Sequence, residues 1–332
     1  MATNDALETH ASAVSDPGVK RTDAGVPADA SSESPTKAKL KLPTLSQCVP
    51  GIVLILVIAV AFAPLFRYFW HRWWEEDHAP FGYGYFIPPT CLYLLWCRRD
   101  KLAAAKVEPA PWWAWGILGL TVFVLLLGIR ASVTVVESLA FASALVVVPY
   151  CIWGKNVLKH SWGALLYGWT MIPWPGQATG GLLIRMQQLS TDQASWVFNH
   201  LGISSLIDGT TVWLPNFNFE VAVACAGLTI LFPTLSIAIL TAMMVKAKMW
   251  QKLLLIVVSI PISIIANTLR IVLIGYIGNS GGKDLAEKLH DASGIVGVIL
   301  ASFVLYFVGL LIGCGKYLPE YTPTFGQEEI AN

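Results

Sequence analysis

The chain is poor in charge. Of its 332 residues only 13% are Asp, Glu, Lys or Arg, while 55% are hydrophobic, and soluble domains carry roughly 25% charged residues. A chain with so little charge is expected to live in lipid. The net charge of +1 and the absence of a continuous basic face exclude nucleic acid as an expected partner. A glycine-rich phosphate loop, a repeat at fixed period and any CxxC or close Cys/His ligand set are also missing. These absences argue against a nucleotide site, a solenoid and structural zinc, so neither a cofactor nor a metal is expected.

Long apolar runs are abundant instead. A spanning helix needs about 20 mostly apolar residues, and eight stretches meet or approach that standard, at about 49 to 66, 81 to 97, 112 to 130, 133 to 153, 157 to 174, 221 to 245, 251 to 278 and 291 to 313. The fold class is therefore expected to be all-α, a polytopic membrane protein of about eight transmembrane helices in contact with the lipid bilayer. Residues 1–42 are short of large apolar groups and read as a disordered cytoplasmic tail. Residues 43–316 form the expected transmembrane domain, and 317–332 a short cytoplasmic tail. The run near Cys48 lacks a small-residue cleavage site and reads as an anchor that stays.

Charge placement orients these spans, because short cytoplasmic loops carry excess Lys and Arg. With the N-terminus inside, only Arg67, Arg72, Arg130, Arg185, Arg270, Lys283 and Lys288 of the 22 basic residues fall on the outer side. Both termini are thus expected in the cytoplasm. The longest outer segment, about 175–220, is expected to cap the outer face. Its stretch Leu182 to Leu201 has the mixed pattern of an interfacial helix. Thr211 to Phe219 alternates about Pro215-Asn216, as a small hairpin would.

In this topology Cys225 is the only cysteine near the outer side. Cys48, Cys97, Cys151 and Cys314 fall near the inner side and Cys91 lies within a span, so no disulfide framework is expected. A lone membrane cysteine is ordinarily a small packing hydrophobe. Two neighbours change that reading. Arg270 lies inside an apolar segment, where a guanidinium costs about 2.5–3.5 kcal/mol on insertion scales, and His290 opens the last span; both fall level with Cys225.

A thiol placed about one turn into its helix would gain thiolate character from the free amides there. Glu220 would raise the thiol's pKa if it faced it. Gly227 would let a substrate or backbone approach closely, and Asn267, three residues before Arg270, shares its helix face and would orient the guanidinium or bind the substrate backbone. His290 would take the thiol proton and return it to a leaving amine, with Arg270 stabilising an oxyanion. Asp291 points to another face, so the spacing does not support a Cys-His-Asp triad. The alternative is a transporter or channel in which buried Arg270 binds an anionic solute, although no repeated halves or paired broken helices are visible. A non-catalytic scaffold is a third reading.

Three stretches resemble the exosortase/archaeosortase family of polytopic membrane transpeptidases. They are Ala224-Cys225-Ala226-Gly227-Leu228, Asn267-Thr268-Leu269-Arg270-Ile271 and His290 at a helix start. Phe81 to Pro88, followed by Leu94 to Arg99, is similar to the family's early signature. The resemblance covers about residues 50 to 315. Two departures mark a divergent member: Ala226 stands where the family has serine, and Gly82-Tyr83 where it has Ser-His.

The resemblance implies a membrane cysteine protease or transpeptidase of the bacterial inner membrane, acting at the outer face. Its expected substrates are exported proteins whose C-terminal sorting signal joins a short motif such as Pro-Glu-Pro (PEP-CTERM-like), a transmembrane helix and a basic cluster. Cys225 would form a thioester and an unidentified amine acceptor, or water, would resolve it.

Overall fold

The computed structural model describes residue 53, residues 56 to 57, 59–74, 81–173, 176–221 and 225–321. Residues 49–52, 54, 55 and 58 of the first expected span, and both expected tails apart from residues 317–321, lie outside these residues. The described chain is a helical polytopic membrane protein. Among its described residues four helices are long and apolar enough to cross a membrane, over Trp112–Ala131, Thr134–Met171, Met249–Asn279 and Ser293–Ile312.

The first half of the chain is organised around aromatic packing. Helix α1 (Ala63–Trp74) buries Leu65 and Phe69, and Phe62, Phe66 and Phe69 all meet the Phe141 ring edge-on, a favoured geometry for aromatic pairs. A 3₁₀ turn over Gly82–Phe86 leads into α2 (Ile87–Cys97). Pro88 and Pro89, which weaken this stretch as a span when read in sequence, occupy the first turn of α2, where no intrahelical N–H partner is required. Helix α2 is short, rising about 16 Å, so it crosses only part of a bilayer by itself. Tyr83, in the departing Gly-Tyr pair, donates its hydroxyl to the Thr170 carbonyl at 2.8 Å.

After the short α3 (Arg99–Ala104) comes α4 (Trp112–Ala131), which packs on α5 (Thr134–Gly168). Helix α5 is broken at Gly154, where φ is 78° and ψ is −174°. Leu145 Cδ1 lies 3.6 Å from the place a Cβ on Gly168 would take, whereas a straight helix would separate those residues by about 34 Å. The chain therefore folds back at Gly154, and the two limbs match the separate stretches expected at 133 to 153 and 157 to 174. Lys155 pairs with Glu108 at 3.6 Å beside this bend, and Asn156 donates to the Lys106 carbonyl.

Helix α6 (Gly176–His200) takes in the stretch expected to be helical from Leu182 and starts earlier than the sequence pattern suggests. Three short antiparallel strands follow, β1 (Leu206–Asp208), β2 (Thr211–Trp213) and β3 (Asn218–Glu220). The β2–β3 hairpin pairs Val212 with Phe219 across the Leu214–Phe217 turn. These elements dock on α8 (Met249–Asn279) because α8 offers glycines to their rings. A Cβ on Gly275 would lie 2.6 Å from Phe198 Cζ, and one on Gly278 would lie 2.4 Å from the Phe217 ring.

Helices α7 (Leu228–Met244), α8 and α9 (Lys283–Ile312) pack against one another. Helices α8 and α9 run antiparallel: Gln251 at the start of α8 donates at 2.6 Å to the Ile312 carbonyl at the end of α9. Helix α7 begins seven residues later than expected, and α9 begins at Lys283, ahead of its apolar segment. Both shifts bear on the site.

Gly154→Ala is expected to disrupt the fold. The new methyl would meet the Glu108 carbonyl oxygen at 2.2 Å, with the backbone already in a region L side chains rarely adopt. Size-exclusion chromatography of the detergent-solubilised variant should show loss of the monodisperse species, and wild-type behaviour would rule out a tight bend at Gly154.

Candidate active site

Helix α8 carries a buried polar stripe through an apolar segment. Ser259, Ser263, Asn267 and Arg270 recur at spacings of three and four, hence on one face, and all are buried. Such groups need partners inside the protein. Ser263 back-bonds to the Ser259 carbonyl at 2.7 Å. Asn267 Nδ2 donates to Ser190 Oγ on α6 and to the Cys225 carbonyl, both at 3.0 Å. Arg270 turns to α9, donating from Nε to Ser293 Oγ at 2.8 Å and from Nη2 to the His290 carbonyl at 3.0 Å.

Cys225 has 3₁₀ geometry and lies ahead of α7, in contrast to the expectation of a thiol one turn into its spanning helix. The chain passes Cys225 and Ala226, turns at Gly227 with φ 88°, and only then enters α7 at Leu228. Val221, at the end of the β-hairpin, and Cys225 are each held from the side. Gln187 on α6 donates to the Val221 carbonyl, and Asn267 holds the Cys225 carbonyl. Gly227 faces this clamp: a Cβ there would lie 3.2 Å from Asn267 Nδ2. The close approach read from the sequence is thus to the Asn267 side chain.

The thiol and the imidazole meet. Cys225 Sγ lies 2.8 Å from His290 Nε2. Cys225 is only 4% exposed and Arg270 7%, so the thiol and the guanidinium both sit in a poorly hydrated setting. Burial pushes the Cys225 thiol, which lies outside the spanning helices, up from its ordinary value, and the Arg270 charge offsets part of that rise.

The same thiol and imidazole line a cavity of about 370 Å³. Phe217, Phe219, Ile271 and Ile274 form its apolar walls, and Glu220, Lys283 and Glu287 bring charge to it. Glu220 is exposed and accepts from Thr210 Oγ1 at 3.4 Å. It shares the cavity with the thiol.

The structure thus brings together Cys225, Arg270 and His290, with Asn267 and Gly227 beside them and Glu220 across the cavity. Sequence reasoning missed Ser190, Gln187 and Ser293. Of these only Ser293 carried a signal, lying three residues after His290 and therefore on the same helix face. All five cysteines of the described residues are free. Among those residues no group of three or more His, Cys, Asp or Glu is arranged to hold a metal ion.

Residues 73–307 of the chain, which build this bundle and its cavity, match a family model described as transmembrane exosortase. The chain belongs to the transmembrane exosortase family. The matched region contains Cys225, Arg270 and His290 and covers well over half of the protein. Membership carries a general membrane transpeptidase or protease-like role, with protein substrates that bear sorting signals. No curated protein and no solved structure matched the chain.

Asn267→Leu is expected to strip hydrogen bonds from the Cys225 carbonyl and Ser190, at a cost of about 1–3 kcal/mol for buried groups left unpaired. Thermal melting in detergent should fall accordingly, and an unchanged melting temperature would show that the clamp contributes nothing to stability.

Proposed function

We propose that this exosortase-family protein is a cysteine-dependent membrane transpeptidase that cleaves PEP-CTERM-like C-terminal sorting signals of exported proteins. The observation that carries the reading is the 2.8 Å contact between Cys225 Sγ and His290 Nε2, in a cavity large enough for a peptide segment. His290 takes the thiol proton as Sγ attacks the scissile carbonyl carbon. The tetrahedral oxyanion collapses, the C–N bond breaks, and the amine leaves with the proton from His290. The resulting thioester joins the substrate to Cys225. An amine acceptor then attacks the same carbon with His290 as base, the C–S bond breaks and the thiol is restored; water in the same place yields hydrolysis.

Arg270 supplies fixed positive charge beside this pair. A buried cation favours both the thiolate and the oxyanion, while its Nε and Nη2 are engaged by Ser293 and His290. That engagement speaks against the guanidinium serving as a free anion site in a transporter. The distribution of lysine and arginine supports placing both termini in the cytoplasm and the site on the outer face of the bacterial inner membrane. The substrate's own transmembrane helix would then lie in lipid while its motif reaches the thiol.

Co-expression with an exported protein bearing such a signal tests the mechanism. Cys225→Ala should abolish C-terminal cleavage, and hydroxylamine added during turnover of the parent should release a hydroxamate of the substrate from the thioester. Processing that survives the substitution would sink the thiol mechanism.

Arg270→Lys should reduce turnover by about a hundredfold or more, since a point ammonium cannot span Ser293 Oγ and the His290 carbonyl as the planar fork does. Near-normal turnover in that variant would remove the fork from the mechanism.

A further inference from the structure

Arg270 reaches His290 by two routes. Its Nη2 donates directly to the His290 carbonyl at 3.0 Å. Its Nε donates at 2.8 Å to Ser293 Oγ, whose hydroxyl donates at 2.9 Å to that same carbonyl. The planar guanidinium is therefore tied to α9 at a backbone carbonyl and at a side chain one helical turn along it.

We propose that Ser293 is a positioning residue for the reaction: its hydroxyl fixes the plane of the Arg270 guanidinium against α9 and so sets where the imidazole and the positive charge stand relative to the Cys225 thiol. The proposal rests on the cysteine mechanism above. Ser293 touches neither the thiol nor, on this reading, the substrate; it acts through Arg270 and His290.

The chemistry requires a group that accepts and donates at once. A hydroxyl does both. Alanine at 293 would leave the Nε of a buried guanidinium without this acceptor, and the plane of the fork would no longer be fixed against α9 by Ser293. The charge would move away from the position in which it offsets the effect of burial on Cys225. The other charged groups that share the cavity with Cys225 and His290 are Glu220 on β3 and Lys283 and Glu287 on α9. Substitution at Ser293 leaves all three in place, so they form a constant background to the comparison.

The test uses the full-length protein in detergent, with two readouts. One is the pH dependence of Cys225 alkylation by iodoacetamide, followed on its own peptide by mass spectrometry with the other cysteines as internal references. The other is cleavage of a sorting-signal substrate. Ser293→Ala should move the alkylation midpoint to higher pH, because the displaced cation stabilises the thiolate less, and should lower kcat by about tenfold with KM little changed. Ser293→Thr should restore both.

In an Arg270→Ala background, adding Ser293→Ala should shift the midpoint no further, since residues acting as one unit are not additive. An unchanged midpoint in Ser293→Ala, or an equal additional shift in the Arg270→Ala background, would overturn the proposal. If the alanine variant does not fold, Ser293→Val set against Ser293→Thr repeats the comparison at constant shape. Cleavage by Cys225→Ala would end the cysteine mechanism itself, whereas the alkylation shift reads Ser293 independently of turnover.

Discussion

A guanidinium among apolar helices is tolerated only where the protein supplies it with acceptors. Arg270 meets that condition by bonding α8 to α9 at Ser293 and at the His290 carbonyl. The demand of one buried cation thus fixes the relation of two helices at the level of the site. Three residues earlier, Asn267 binds the Cys225 carbonyl and Ser190 on α6. One face of α8 therefore locates the histidine through one polar residue and the cysteine through another. The rest of the bundle can vary in its lipid-facing side chains without disturbing this relation.

The thiol sits where two opposing electrostatic effects meet. Burial disfavours the thiolate, and a nearby cation favours it. In a fully exposed setting the cation would be screened and contribute little; deep in a span the burial cost would dominate. Placing Cys225 just before α7, outside the spanning helices but shielded by α6 and the β-hairpin, lies between these limits. Histidine contact then gives the proton a short path without requiring a permanently ionised thiol.

Much of this arrangement was legible in the residues. Apolar runs separated by clusters of lysine and arginine revealed a multi-pass membrane protein, and the same clusters placed Cys225, Arg270 and His290 at one level. The apolar stretches expected at 133 to 153 and 157 to 174 correspond to the two limbs that meet at Gly154. The hairpin followed from alternation about Pro215-Asn216. The α-helix expected from 221 begins at Leu228, because composition alone does not mark where a helix starts inside an apolar run. What decides it is the left-handed backbone at Gly227 and side-chain clamps from α6 and α8, which involve contacts remote in sequence. Ser190, Gln187 and Ser293 stayed unseen for a related reason. A serine or glutamine in a helix is ordinary, and its role appears only when the partner across the interface is known.

The proposed chemistry gives the placement of the site a physical rationale. A peptide carbonyl, a leaving amine and an incoming acceptor are all polar, and each must be stripped of water only when it reaches the thiol. A sorting signal that ends in a transmembrane helix is apolar and is stabilised by remaining in lipid. Both requirements are met at the boundary of the bundle, where α9 begins before its apolar segment and carries His290 ahead of it. A cavity with apolar walls and charge from Glu220, Lys283 and Glu287 can desolvate the reacting carbonyl and still admit a polar acceptor. Moving the pair one helical turn deeper, about 5.4 Å, would raise the burial cost on the thiol and lengthen the acceptor's path. Moving it one turn outward would detach it from the polar stripe of α8 that holds it.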